Sequence, residues 1–471
     1  MKGNDSGKNR YLLKNTAIFA VGNFASKFIS FFLIPLYTNC MVASEYGTAD
    51  LLYTICNFLI PLFTLNIVEA ILMFSLDKNA NEKKIARIAC TMIVPLVVAG
   101  ALSIPILMSI DGYRNYAIYF YLYMVSNAVS QIFLIVLKGQ EKLKQFTIGN
   151  ILHSVLIAIF SLVFLLWFKM GVSGYFLAYI VSNIIVAVYA LLMSRAIPNA
   201  REALFDKILF KKMVKYSAVL IPTTFMWWIM NFLDRVMITS MVNAAESGIY
   251  AVSYKIPTIL SSVSSVFMQA WLFSAVKNNN SEDNARYSNK IFNMLLGILV
   301  GTSIILVVFV KEFFKVYVAP EYYEAWTYVP YLMVGHIFLT LSTFISTSYN
   351  VNKDSKGFLC SASVGAIVNL ILNASLIPIW GASGAAIATT VSYVCVFVYR
   401  IFDTKKYLVI EIGPKFYISI LLVIVASIAL ILEHPFDIAI GLVMLIVFII
   451  MNRKIVRATF GPIKKLLRRF F

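Results

Sequence analysis

Residues 15–37 read NTAIFAVGNFASKFISFFLIPLY, an apolar run with one lysine, Lys27, near its middle. A run of about 20 apolar residues matches the roughly 30 Å hydrocarbon core of a bilayer, so this stretch predicts a membrane-crossing helix. An ionised side chain at that depth costs on the order of several kcal/mol and normally faces a bundle interior or a wet cavity. Lys27 is therefore the first candidate functional residue. The run is preceded by MKGNDSGKNRYLLKN, polar and basic, and it lacks the small-residue cleavage pattern of a signal peptide. It is expected to stay attached as an anchor.

The rest of the chain has the same character. Of its 471 residues, 60% are hydrophobic and 13% charged, and the mean hydropathy is +0.82. Runs of 17 to 25 apolar residues without strand-type alternation choose helices over a closed barrel. Fourteen spans are expected, at 15–37, 47–74, 88–110, 116–138, 145–168, 174–194, 216–242, 247–276, 288–310, 326–350, 357–378, 383–402, 415–432 and 436–451. The net charge of +18 is explained by the positive-inside pattern and not by nucleic acid. Alternate loops carry Lys78, Lys83, Lys84 and Arg87; Lys138, Lys142 and Lys144; Arg195, Arg201, Lys207, Lys211, Lys212 and Lys215; and further sets at 277–290, 353–356 and 400–415. The opposite loops carry Arg114, Lys169, Lys311 and Lys315. An even number of spans with both termini cytoplasmic follows. Cys40, Cys56, Cys90, Cys360 and Cys395 have neither metal spacing nor a pairing pattern and read as apolar packing residues.

The chain repeats itself. Displaced by 210 residues, GVSGYFLAYIVSNIIVAVY (171–189) lies on GASGAAIATTVSYVCVFVY (381–399) with nine identities, among them Gly171, Gly174, Ser182 and Tyr189. A displacement of 201 puts Glu45, Gly47, Tyr53 and Ile55 on Glu246, Gly248, Tyr254 and Ile256. Each repeat holds six spans. Because six is even, the repeats are parallel, and transporters of that kind bind substrate near mid-membrane and rock one half against the other. The fold class is thus an all-α polytopic membrane protein of about fourteen transmembrane helices. Two six-helix lobes are expected around a central cleft, with two additional C-terminal helices. The expected divisions are an N-terminal lobe at 1–195, a basic linker at 196–215, a C-terminal lobe at 216–403, the additional helices at 404–452 and a basic tail at 453–471. The tail alternates basic and apolar residues and suits anionic lipid. Pro35, Pro61, Pro222, Pro257 and Pro378 lie in or at the ends of spans, where a missing N–H bends a helix.

Three cations lie inside spans at a common depth: Lys27, Arg235 and Lys255. They occupy the first, seventh and eighth spans, which belong to the repeat pairs expected to face the cleft. Three acids are embedded as well, Asp50, Glu69 and Asp234, as candidates for ion coupling or ion pairing. For Asp234 the alternative is a structural pair with Lys255 or Lys27. For Glu69 it is an interfacial contact with Lys78 or Lys83. Asn127, Ser130 and Gln131 in the fourth span, and Ser342, Thr343, Ser346, Thr347, Tyr349 and Asn350 in the tenth, read first as interhelical packing. His153 and His336 each stand without a second ligand at metal spacing. No metal site and no cofactor are expected.

Two stretches carry a family resemblance: GNFASKFISFFLIPLYTNCMVASEYGTADLL, and IPTTFMWWIMNFLDRVMITSMVNAAESGIYAVSYKI after the sixth span. Together with GASGAAIATTVS they resemble the polysaccharide-transporter, or oligosaccharide flippase, family of the multidrug/oligosaccharidyl-lipid/polysaccharide exporter superfamily. The resemblance covers roughly the first twelve spans. It implies a bacterial inner-membrane protein that moves an undecaprenyl-diphosphate-linked oligosaccharide through a cationic central cavity, to which Lys27, Arg235 and Lys255 are the positions able to contribute. Fourteen spans are similar to the peptidoglycan-precursor flippases, whose two additional helices help accommodate the lipid tail. GxxxxGK[ST] is absent, so the energy is expected from a proton or sodium gradient, the membrane potential or product consumption. Two alternatives stand: a multidrug exporter of the same superfamily, which should carry net negative charge in its cleft, and a membrane glycan polymerase or acyltransferase, which should carry a large outer loop. The longest outer loop, 311–325, is short.

The charge alternation predicts topology. In intact cells, cysteines placed at Lys142 and Lys207 should resist an impermeant thiol reagent added outside, and one at Glu321 should react. Outside labelling of Lys207→Cys would reverse the orientation.

Overall fold

The computed structural model describes residues 26–77, 80–195, 205–278 and 284–453, and among these all regular structure is helical. In chain order the helices are α1 (26–40), α2 (Ala43–Phe63), α3 (Ile67–Ser75), α4 (Glu82–Thr91), α5 (Ile93–Met108), α6 (Ala117–Gly139), α7 (Leu143–Ser161) and α8 (Gly171–Ser194). They continue as α9 (Lys207–Met241), α10 (Ala244–Ser253), α11 (Lys255–Asn278), α12 (Asn284–Tyr317), α13 (Val329–Val351), α14 (Ser355–Asp403), α15 (Pro414–Ile431) and α16 (Asp437–Met451). Among the described residues, nine helical stretches are long and apolar enough to cross a membrane, or ten with the bent pair α2–α3 as one span.

Fourteen spans are recovered when the breaks are read physically. The 49 residues of α14 would make a rod of about 74 Å at 1.5 Å per residue. It is two spans joined at Gly381, whose φ of 55° and ψ of −138° are not helical. The other spans beyond the ten are the shorter α16, α1, and the α10–α11 stretch, which is interrupted at Tyr254.

The second span is broken where sequence reading made it continuous. Thr64 ends α2, Leu65 and Asn66 take positive φ (49° and 53°), and α3 leaves at 57° to α2. Pro61 lies one turn before this break, Pro257 one turn after that at Tyr254, and Pro378 one turn before Gly381. Of the three, only Pro257 loses a hydrogen bond that would have spanned its break, to the Ser253 carbonyl. Residues 15–25 of the first span and the basic tail from 454 onward lie outside the described residues.

The chain divides into two compact units, Met1–Trp228 and Ile229–Phe471, with the division inside α9. In the first unit α6 packs against α8, α5 and α3, and α7 packs against α8. Ile67, Ile71, Ile85, Ile88, Ile132 and Met213 form a buried cluster beneath them. Asp206 starts α9 by accepting the backbone N–H groups of Ile208 and Leu209 and pairs with Lys84 at 3.0 Å. The Leu209 amide first, and then Lys84, hold its carboxyl below the usual range. In the second unit α13 packs against α14, α11, α12 and α15. Both C-terminal helices lie on α12, where Gly301 meets the Phe448 ring and Gly441 meets Val308. A larger residue at either glycine would push α16 away. On α5, Val94, Val98, Leu102 and Ile106 are all exposed at four-residue spacing, a stripe suited to acyl chains.

Each unit contains a joint of the same kind. Gly171 opens α8 with φ +51° beside the Glu45 carboxylate, and Gly381 opens the second span of α14 with φ +55° beside Glu246. Glu246 accepts the Ala382 N–H at 2.7 Å. A carboxylate at a helix start satisfies an orphan donor and meets the positive end of the dipole. The left-handed φ favours glycine. The same pairing of a Glu carboxylate with a left-handed Gly recurs in both repeats. Gly381→Val should lower the unfolding temperature in nanodiscs more than Glu246→Ala, which removes a cap worth about 1 kcal/mol. An unchanged melting curve for Gly381→Val would contradict the role of the joint.

Candidate functional site

The charged pair on α9 sits in the interior of the second unit. Asp234 is 1% exposed and Arg235 5%. The Asp234 carboxylate accepts the Tyr250 hydroxyl at 2.6 Å, the Thr389 hydroxyl at 3.4 Å and the Arg235 backbone N–H at 2.9 Å. Among the described residues of the second unit, no lysine lies within ion-pair distance of Asp234. The Arg235 guanidinium lies over the rings of Tyr254, at 4.9 Å, and Phe232, at 5.4 Å. Aromatic faces hold a cation electrostatically. Tyr254 continues the network through its hydroxyl to Tyr393 at 3.1 Å, and Tyr393 donates to Asn231 at 2.8 Å. His336 stands edge-on to both tyrosine rings and shares a hydrogen bond with the Leu332 carbonyl through Nδ1. Thr389 accepts from Asn369, which in turn accepts from Asn373.

The remaining sequence candidates are placed as follows. Lys255 opens α11 directly after Tyr254 and is half-buried. It follows the α10–α11 break, so its position at the head of a helix comes from the interruption. Lys27 is in the first unit, exposed on α1. Asp50 is buried one turn before Tyr53 in α2, and Glu69 is exposed in the first turn of α3. The α13 hydroxyls serve the interior: Thr347 accepts from the Trp271 indole at 2.9 Å, and Tyr349 donates to Asp403 at 2.7 Å.

Arg400 escaped sequence reasoning. It is fully buried near the end of α14, donating to Ser361 Oγ and the Ser342 carbonyl, with its guanidinium over Phe358. Its proximity in sequence to Lys405 and Lys406 made it read as interfacial.

Against known proteins, residues 12–273 match a family described as "Polysaccharide biosynthesis protein". An uncharacterized membrane protein of Methanocaldococcus jannaschii is 24% identical over 430 residues, covering 84% of this chain and all of its own. Among solved structures, the lipid II flippase MurJ in an inward closed conformation superposes with a TM-score of 0.74 at 15% identity, covering 94% of this chain and all of its own. An inward-facing multidrug resistance MATE family transporter of the MOP superfamily gives 0.62 at 11%, covering 83% and 94%. A MOP superfamily transporter from Pyrococcus furiosus gives 0.58 at 11%, covering 84% and 95%. The fold is thus that of these multi-pass transporters. Because the family match takes in more than half of the chain, from α1 through the Arg235 centre and into α11, this membrane protein belongs to the polysaccharide biosynthesis protein family.

Proposed function

We propose that this protein is a transporter, not an enzyme, which moves an undecaprenyl-diphosphate-linked oligosaccharide across the bacterial cytoplasmic membrane by alternating access, with both termini cytoplasmic. The observation that carries the reading is Arg235, a guanidinium 5% exposed in a membrane helix and held between two aromatic rings. A diphosphate leaving water needs charge-assisted donors to replace its hydration, and Arg offers them in two-point geometry. Lys255, one residue beyond the Tyr254 ring that carries Arg235, and Lys27 in the first span are the other cations of the proposed path. In the second unit an apolar cavity of about 650 Å³, lined by Phe338, Phe397, Ile401, Phe416 and Ile420 with Lys405 among them, has the chemistry for an isoprenoid tail. Asp234, buried among hydroxyl oxygens, is the proposed coupling residue for a proton or sodium ion; Asp50 and Glu69 are weaker candidates. Anionic lipid is a proposed partner of the basic cytoplasmic face.

The test is flipping of a fluorescent polyprenyl-diphosphate oligosaccharide in proteoliposomes. Arg235→Gln and Lys255→Gln should each insert and fold yet transport at least about tenfold more slowly, since one charge-assisted hydrogen bond is worth roughly 1.5 to 3 kcal/mol. Lys27→Gln should behave alike. Wild-type transport by a Lys255→Gln, Asp234→Asn double variant would move these residues from the substrate path to the scaffold. Faster export of organic cations than of the lipid-linked glycan would favour the multidrug alternative.

A further inference from the structure

The first unit contains a polar cavity of about 270 Å³ that the charged centre does not explain. Four helices build it, and each contributes side chains one turn apart on the same face: Tyr53 and Asn57 on α2, Tyr123, Asn127 and Gln131 on α6, Asn150 and His153 on α7, and Tyr179 and Asn183 on α8. Five of these are carboxamides, and no carboxylate, lysine or arginine is among the lining residues. The amides form a chain from surface to interior: Gln131 donates to Asn127 at 3.0 Å, and Asn127 donates to Asn57 at 3.2 Å. His153 Nε2 shares a 2.8 Å hydrogen bond with the Asn183 carboxamide oxygen. Tyr53, Tyr123 and Tyr179 pack in a triangle with centroid separations of 5.4 to 5.8 Å.

This is more than interhelical glue. Glue closes the space between helices, whereas these groups bond to one another around an open volume and leave each carboxamide oxygen a second lone pair. The repeat shows the contrast. The displacements that relate the two halves put Tyr53 on Tyr254, Tyr179 on Thr389 and Asn183 on Tyr393. In the second unit those three partners are 5%, 0% and 0% exposed and gather around Asp234 and Arg235. At the equivalent interior position the first unit keeps neutral amides and space.

A neutral, donor-and-acceptor wall beside a rigid aromatic one has a specific chemical complement. Each sugar hydroxyl both donates and accepts, as a carboxamide or tyrosine hydroxyl does, and the C–H face of a pyranose packs on an aromatic ring. Without any acid in the lining, a bare cation has no charged ligand here. The volume is below the roughly 300 to 1,000 Å³ of drug-sized sites, which limits the occupant to about one ring. We propose that this cavity is a binding site for a single neutral monosaccharide unit, with Asn57, Asn127 and Asn183 as its hydrogen-bonding wall and the tyrosine triangle as its stacking wall. The assignment rests on the transport reading only in taking that sugar to be part of the cargo.

The experiment is saturation-transfer NMR on the full-length protein in lipid nanodiscs. The probes are methyl β-D-glucopyranoside and N-acetylglucosamine, with glucuronate and sodium chloride as charged controls. At least one neutral glycoside should show saturation transfer that falls fivefold or more in Asn183→Leu and in Gln131→Leu, the latter at an exposed position; melting curves check that both variants fold. Glucuronate should give no comparable signal. Absence of transfer from both neutral probes, equal transfer in the variants, or displacement by sodium chloride alone would overturn the assignment. Flipping assays separate the two readings. Glycoside binding to a protein that does not flip the lipid-linked glycan would keep the cavity and remove the transport role, while flipping without glycoside binding would do the reverse.

Discussion

A hydrocarbon solvent offers no hydrogen bonds, and most of this structure follows from that. Each backbone amide and each polar side chain inside the membrane must find its partner within the protein. The chain answers with helices almost throughout, and at a few helix starts with a side-chain cap, as from Asn81, Asn243 and Asp354. Glu246 on the Ala382 amide is the clearest case, because it caps the helix start that follows the turn at Gly381 between two spans. The same constraint puts hydroxyls and carboxamides inward and stripes such as Val94, Val98 and Leu102 outward.

The internal repeat gives the constraint a second use. Both units place a Glu–Gly joint at the start of the last repeat helix and a tyrosine and its neighbours at the same interior position. In the second unit that position is packed around Asp234 and Arg235, with Tyr250, Tyr254 and Tyr393 as the satisfying shell. In the first it is lined by amides around a cavity. The duplicated scaffold thus carries a charged pair at this position in one unit and neutral amides in the other. A cargo with an anionic diphosphate and neutral sugars has both kinds of group.

Breaks in the helices position the chemistry. Lys255 begins a helix because Tyr254 ends one, and α3 diverges from α2 because Leu65 and Asn66 adopt left-handed backbone. Pro61, Pro257 and Pro378 lie within a turn of those interruptions, yet Pro222 lies inside a continuous α9. Proline marks where a helix is weakened; whether it breaks depends on what replaces the lost hydrogen bond.

The sequence by itself determined the class, the fourteen spans, the repeat and the family, because apolar length, loop charge and identity at fixed displacement are one-dimensional properties. It also exposed Lys27, Arg235 and Lys255, since a charge in an apolar run is visible without coordinates. The tertiary structure alone decided what those charges meet. The fold gives Asp234 the hydroxyls of Tyr250 and Thr389, which lie 16 and 155 residues away in sequence. Asn127 and Gln131 looked like packing residues until Asn57, Asn150 and Asn183 were brought around the same volume. The reason is physical: burial and hydrogen-bond partnership belong to the space between helices, and no single helix carries that information.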